Sequence, residues 1–257
     1  MDFLERIMLA FVLAMGSAAS GQYIGFVYPA GAQRGTTTLI RLGGQRIDGV
    51  EGAIVSGDGV EAKLVDYHRW LNNQEIRLLR ENLRDLRRAA AARKKAKKEL
   101  DATAEKIMAN IEDRIALWEN RPANRSVVNL AFVEVTVAPD AEPGPREIRL
   151  VLRTGVTNPM VFHVGQYPEF SRPPMKMAQV PVLGNEAAAE RNRPPEEQEV
   201  QVTVPCVVNG QVAAGEVNHY RFEATKGQRL VVAAHARELI PYIADAVPGW
   251  FQPVVTL

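Results

Sequence analysis

The sequence is poor in cysteine, on which many small exported proteins and metal sites depend. It contains a single cysteine, Cys206, so no disulfide can form within the chain. Zinc ribbons and thioredoxin-like sites need pairs of cysteines and are excluded for the same reason. Cys206 lies in an apolar run, where we expect a small buried side chain rather than a reactive thiol.

The motifs of common catalytic and metal sites are also missing. There is no G-x-S-x-G nucleophile elbow, no H-E-x-x-H helix and no P-loop. Acidic pairs such as Glu196-Glu197 fall in a proline-rich stretch, where no cleft can hold them for acid catalysis. None of the four histidines has metal-ligand spacing; they are His68, His163, His219 and His235. We therefore predict a non-enzymatic protein with no catalytic residue, no metal ligand and no cofactor.

Long hydrophobic runs are absent except for a short one at the N-terminus. Residues 7–15 are apolar and are followed by small residues at 16–21, a pattern typical of a cleaved signal peptide. The run is about half of the roughly 20 residues that a membrane-spanning helix needs. We predict a signal peptide over 1–21, export to the periplasm, cell surface or medium, and no membrane span after cleavage. Asp2 and Glu5 outweigh Arg6 where a signal should be positive, so a retained anchor or a core helix stays an alternative.

What is present is mostly strand-like. Residues 36–42, 52–57 and 60–66 are rich in β-branched side chains and are separated by glycine-containing turns. Residues 133–137 and 148–152 alternate between apolar and polar, as half-buried strands do. The chain is therefore expected to be mainly β on both sides of its central segment.

That central segment, from about 69 to 121, follows a helical period. Glycine and proline are absent between Tyr67 and Arg121, which favours helix. A single helix of this length would separate its ends by about 70 Å, whereas the flanking strands must meet if they share a core. We predict an antiparallel helical hairpin that turns between Arg93 and Thr103, with one long helix joining separate β units as the alternative. Two apolar seams should pack together: Ile76, Leu79, Leu83, Leu86 and Ala90 against Leu100, Ala104, Ile107, Ile111 and Ile115.

Positive charge is concentrated at the expected tip, although the formal net charge of the chain is only +1. Such a patch suits a polyanion, either an acidic polysaccharide, an anionic membrane face or a nucleic acid. No aromatic side chain is interleaved to stack on bases, so we expect no nucleic-acid partner. The alternative is a solvated tip that charge keeps soluble. The candidate polyanion-binding residues are Arg84, Arg87, Arg88, Arg93, Lys94, Lys95, Lys97 and Lys98.

Beyond the first β block, residues 168–198 are rich in proline and charge and are predicted to form a linker. Residues 199–257 are again strand-like. Asn209-Gly210 is a hairpin signal, and alternation over 220–224 and 230–234 predicts two further strands. Because the sequence ends within an apolar run, we expect further domains of a longer chain.

Two segments resemble known families. Residues 26–47 and 133–165, the latter closing on G-x-x-N-P-x-x-F-x-V, resemble an IPT/TIG-type immunoglobulin-like domain. Residues 202–242, with N-G-x, then Y-x-F and K-G-Q, resemble the start of a bacterial pre-peptidase C-terminal domain. The resemblances imply an immunoglobulin-like β-sandwich over 22–167, interrupted by the helical hairpin, and then an incomplete, jelly-roll-like sandwich over 199–257. His219 stands where the second family commonly has Asp, so a ligand role of that position is not carried over.

Three functions are compatible with these features. The first is a structural, adhesive or protein- or carbohydrate-binding module at the cell surface or in the periplasm. The second is polyanion binding through the hairpin tip, which salt should weaken. The third is an accessory module of a secreted hydrolase. The family names imply no protease activity, because the shared motifs are structural.

Overall fold

A computed structural model of the chain describes residues 21–96, 101–120, 122, 125–174, 199–211, 217–239 and 254–256. Residues 1–20 of the predicted signal peptide and 175–198 of the predicted linker lie outside this description. The described fold is mainly β with a helical insertion, as predicted. The helices are α1 (Asn73–Lys95) and α2 (Ala102–Leu117). The strands are β1 (Tyr23–Tyr28), β2 (Gly31–Gln33), β3 (Thr37–Gln45), β4 (Val50–Val55), β5 (Val60–His68), β6 (Asn129–Val137), β7 (Gly144–Leu152), β8 (Gly155–Val156), β9 (Met160–Gly165), β10 (Glu169–Ser171), β11 (Glu199–Gln201), β12 (Val207–Asn209) and β13 (His219–Arg221).

The strands up to β9 form two sheets that share one hydrophobic core. The first has the order β1-β3-β6-β5 and is antiparallel throughout. The second has the order β2-β9-β7-β4, with β8 beside β7. Alternate side chains from both sheets point inward, as the period of two requires. The fully buried members include Ile40, Leu42, Val133, Val135, Ile148, Leu150 and Phe162.

The strands before and after the helical segment meet in the first sheet. Val133 on β6 lies opposite Ile40 on β3 and opposite Leu64 on β5. Val65 follows the alternation of β5 and faces outward, where it is 55% exposed, and the register shifts between Leu64 and Asp66. The prediction that both flanks return to one interior is therefore confirmed, and the helices are an insertion between two paired strands.

The two helices form the predicted antiparallel hairpin. Arg87 in α1 forms an ion pair of 2.9 Å with Glu112 in α2, and Arg80, nearer the base, stacks over the Trp118 ring at 5.3 Å. The later residue of α1 contacts the earlier residue of the returning chain, so the two helices run in opposite directions. α1 ends at Lys95 and α2 begins at Ala102, within the predicted turn region.

The seam on α2 differs from the prediction at one turn. Ile107 is 46% exposed, and Met108 is the half-buried side chain at that level. Ala104, Met108, Ile111 and Ile115 follow steps of four, three and four, which keep one face of a helix toward α1. The prediction favoured Ile107 on hydrophobicity, although its position in the helical turn points it aside. Leu100 lies outside the described residues.

Hydrogen bonds made by Asn158, in the N-P motif, join the second sheet to β1. The Asn158 side chain accepts from the Ile24 amide at 2.8 Å and donates to the Ile24 carbonyl at 2.9 Å. The neighbouring Thr157 is buried, and its hydroxyl accepts from the Leu150 amide at 3.0 Å. These bonds satisfy the backbone groups of two fully buried residues, Ile24 and Leu150.

The C-terminal block differs from the sequence prediction in three ways. β10 falls inside the predicted linker and pairs in parallel with β12, which ends at Asn209, while residues 212–216, where a second hairpin strand would begin, lie outside the described residues. The strand predicted over 220–224 is limited to β13, which pairs with β11 in parallel. Residues 230–234 contain no strand. Alternation indicated apolar spacing here, but the strand partners come from distant segments.

The C-terminal block, from β10 onward, packs directly on the two sheets that β1 to β9 form, and the contact is made through buried polar groups. The Tyr28 hydroxyl lies 2.7 Å from the Arg172 carbonyl oxygen and 3.1 Å from that of Asn209. Arg172 is only 5% exposed and its guanidinium stacks over the Tyr220 ring at 5.8 Å. Burial, more than any nearby charge, raises the pKa of Tyr28 to about 12. The hydroxyl is therefore held as a neutral donor at this junction.

Candidate functional site

A cleft of about 450 Å³ opens at the base of the helical hairpin, where the chain enters α1 and returns from α2. Among the described residues, its wall combines one indole ring, four side-chain amides and one guanidinium, and no carboxylate lines it. The lining residues are Trp70, Asn72, Asn73, Gln74, Asn120 and Arg125. Amides both donate and accept hydrogen bonds, so this lining can recognise a ligand rich in hydroxyl groups.

Two tryptophans hold the base of the hairpin closed by reciprocal hydrogen bonds. The Trp70 indole N–H donates to the Glu119 carbonyl at 3.1 Å, on the returning chain. The Trp118 indole N–H donates to the Leu71 carbonyl at 2.7 Å, on the entering chain. Each ring therefore bridges the two ends of the insertion, and the cleft has a fixed wall.

The start of α1 is capped by side chains, so some of the side-chain amides at the cleft already form hydrogen bonds and others can bind a ligand. The Asn72 side chain accepts from the Gln74 and Glu75 amides, each at 2.9 Å, and the Glu75 carboxylate accepts from the Asn72 amide at 2.9 Å. This is a capping box, and it commits the Asn72 oxygen to the helix. The hydrogen bond from Arg69 keeps the pKa of Glu75 below its usual value. The exposed amides of Asn73, Gln74 and Asn120 remain for a ligand.

Arg125 gives the cleft its charge. Its guanidinium stacks over the Trp70 ring at 5.5 Å, a distance at which the cation is attracted to the π face. The side chain is exposed and has no carboxylate within ion-pair distance among the described residues. The site is thus weakly cationic, with an apolar ring surface beside hydrogen-bonding groups, the combination found in small-ligand sites.

The predicted basic residues do not all lie on one face of α1, although Arg84, Arg88 and Lys95 share a face by their spacing. Those within the description are all exposed, while Lys97 and Lys98 lie outside it. Arg87 is paired with Glu112, and Arg88 lies 3.5 Å from Asp85. Arg93, Lys94 and Lys95 occupy the last turn of α1, where cations are favoured by the helix dipole. That dipole accounts for the last-turn residues but not for Arg84, which lies in the middle of the helix.

Three of the four histidines lie beside carboxylates. His68 is buried, and its Nε2 lies 2.8 Å from Asp66 Oδ2, with its ring edge on Phe132. Glu238 Oε1 lies 2.8 Å from His235 Nδ1 and 3.2 Å from His163 Nε2, which fastens the C-terminal segment to β9. Within the described ranges, no group of three or more His, Cys, Asp or Glu side chains is arranged to hold a metal ion.

Cys206 is half-buried, and desolvation raises the pKa of its thiol. A raised pKa lowers the thiolate fraction at neutral pH, which disfavours nucleophilic chemistry. In the part of the chain that is described, neither helix has the length and apolar composition needed to cross a bilayer.

The sequence analysis did not identify the cleft. Its lining comes from residues 70–74 and 120–125, which the hairpin brings together across about fifty intervening positions. One available signal was that two of the three tryptophans stand at the two ends of the helical segment. No family model matches the sequence, and no significant match to a curated protein is found.

Proposed function

We propose that this chain is an exported, non-catalytic binding module and that the cleft at the hairpin base binds carbohydrate. The observation that carries the proposal is the lining of the cleft, which combines a tryptophan ring with three exposed amides. A sugar presents apolar C–H faces that pack on an aromatic ring, and hydroxyl groups that pair with amides. A rigid wall, held by the two indole hydrogen bonds, reduces the entropy lost when a ligand binds.

The architecture we propose around this site is an immunoglobulin-like β-sandwich of the IPT/TIG type, followed by a pre-peptidase C-terminal-like module. Two sheets over one hydrophobic core are compatible with the first assignment. The N-P motif supports it, because Asn158 joins the second sheet to β1. Modules of this kind present ligands or space other domains at a cell surface, which agrees with export by a signal peptide.

The test is direct binding of the full chain to a panel of neutral and acidic oligosaccharides, measured by titration calorimetry. The double variant N73A/Q74A removes two exposed amides of the cleft and leaves the Asn72 cap in place. Loss of two hydrogen bonds should weaken binding by roughly tenfold or more. N82A is the matched control, because Asn82 is an exposed amide of the same helix outside the cleft. Absence of binding to every sugar, or equal binding by both variants, would contradict the proposal.

A further inference from the structure

We propose that the ligand is an acidic polysaccharide, which is held at the cleft and continues along a basic track on α1. The inference rests on the proposed function, since the same cleft anchors the chain. The basic track is defined as the side chains of Arg77, Arg84, Arg88 and Lys95.

Helical geometry places the track in line with the cleft. From Asn73, which lines the cleft, the track residues follow at steps of four, seven, four and seven. Each step is close to a whole number of turns at 3.6 residues per turn, so all five side chains project from one face. At 1.5 Å per residue the line from Asn73 to Lys95 is about 33 Å long. The cleft and the track therefore form one continuous surface.

The cations of the track are available to a ligand. All four are exposed, and Arg77, Arg84 and Lys95 have no ion-pair partner among the described residues. Arg88 lies 3.5 Å from Asp85, but both side chains are more than 70% exposed, and such pairs are weak. Glu81 is also exposed near this face, and it reduces the positive charge without cancelling it.

The helix dipole does not explain most of these residues. Cations stabilise the last turn of a helix, which accounts for Lys95. Arg77 lies in the second turn of α1 and Arg84 in its middle, where the dipole gives a cation no advantage. Contact with a polyanion accounts for a regular line of cations along this face.

The chemistry favours a glycan over a nucleic acid. α1 contains no aromatic residue, so the track has no ring on which successive bases could stack. Trp70 lies at the cleft and not along the track, so its ring can pack on the sugar unit at one end of the bound polysaccharide. Arg125 beside that ring supplies a cation for the carboxylate of the unit bound there.

The experiment uses uronate oligomers of increasing length, and the same oligomers with their carboxyl groups reduced to alcohols. The variant R84Q/R88Q removes two track charges, and R153Q/R229Q removes the same charge elsewhere. Arg153 lies in the β7–β8 turn and Arg229 lies in the C-terminal block, and both are exposed. We expect wild-type affinity to rise with oligomer length until the chain spans the track. R84Q/R88Q should weaken binding of long acidic oligomers by roughly threefold to thirtyfold and lessen its salt dependence.

The outcomes separate the two proposals. If acidic and reduced oligomers bind equally and R84Q/R88Q has no effect, while N73A/Q74A abolishes binding, the track is refuted and the cleft stands. If no uronate oligomer binds, the inference fails, and the proposed function fails as well only if no other sugar of the panel binds. If R153Q/R229Q weakens binding as much as R84Q/R88Q does, net charge rather than the track is responsible, and the inference is overturned. Displacement of the bound oligomer by single-stranded DNA at equal concentration would also overturn the inference.

Discussion

The reciprocal indole bonds predict that Trp118→Phe will loosen the base of the helical hairpin. The substitution removes the N–H that donates to the Leu71 carbonyl at 2.7 Å, which costs about 1 kcal/mol for one partly buried hydrogen bond. It also weakens the stacking of Arg80 over the ring at 5.3 Å, worth about 0.5 kcal/mol at an exposed site. The smaller ring buries less apolar area, which adds a similar amount at about 25 cal/mol per Å². The expected loss in the free energy of unfolding is therefore about 2 kcal/mol.

Urea denaturation followed by far-ultraviolet circular dichroism measures this loss, and hydrogen exchange locates it. Amides at the start of α1 and the end of α2 should exchange faster in the variant, while those of β3 and β6 should not. Ile107→Ala is the control on the same helix, because that side chain is 46% exposed and should cost about 0.5 kcal/mol or less. A loss for Trp118→Phe as small as that of the control would show that the indole bond does not hold the hairpin.

Three further predictions concern the core, the junction and the helices. Leu150→Ala should lower the free energy of unfolding by about 2–5 kcal/mol, because the side chain is fully buried, whereas Leu39→Ala, at a 55% exposed side chain, should change it by about 0.5 kcal/mol or less. If chemical denaturation gave similar losses for the two variants, the shared core would be refuted. The pKa of Tyr28 is raised from 10 to about 12, so the contribution of its neutral hydroxyl to stability is complete below pH 10 and is lost as the pH rises through 12. Phenolate absorbance measures this ionisation, and ionisation of Tyr28 near pH 10 in the folded chain would contradict the prediction. A double-mutant cycle on Arg87 and Glu112 should give a coupling of about 0.5 kcal/mol that high salt abolishes; a coupling unchanged by salt would mean the pair is not a solvent-exposed ion pair.

Local patterns predicted both helices and the longer strands of the two sheets that β1 to β9 form. Alternation over 133–137 predicted β6, because successive side chains of a strand face opposite sides and one side is the core. The absence of glycine and proline, with apolar steps of three and four, predicted the helices and the place where they turn. The seam was wrong only at Ile107, where hydrophobicity alone could not distinguish neighbouring positions on one helical turn.

The C-terminal block shows why pairing is harder to predict than strand formation. Asn209-Gly210 has the composition of a hairpin turn, and a hairpin would satisfy the backbone groups locally. In the folded chain Val207–Asn209 pairs in parallel with Glu169–Ser171, far away in sequence. The buried Tyr28 hydroxyl stabilises that arrangement by donating a hydrogen bond to the Arg172 carbonyl, a contact that no local sequence pattern indicates.

By itself, the sequence determined that the chain is mainly β, that a basic helical pair interrupts it, and that common catalytic motifs are missing. Each of these follows from side-chain period and residue type, which are properties of neighbouring positions. The tertiary structure decided the cleft, because Trp70 and Arg125 become neighbours only when α2 folds back on α1. It also decided that the cations of α1 fall into line with that cleft, since a side chain's direction depends on where its helix begins and what its other face packs against.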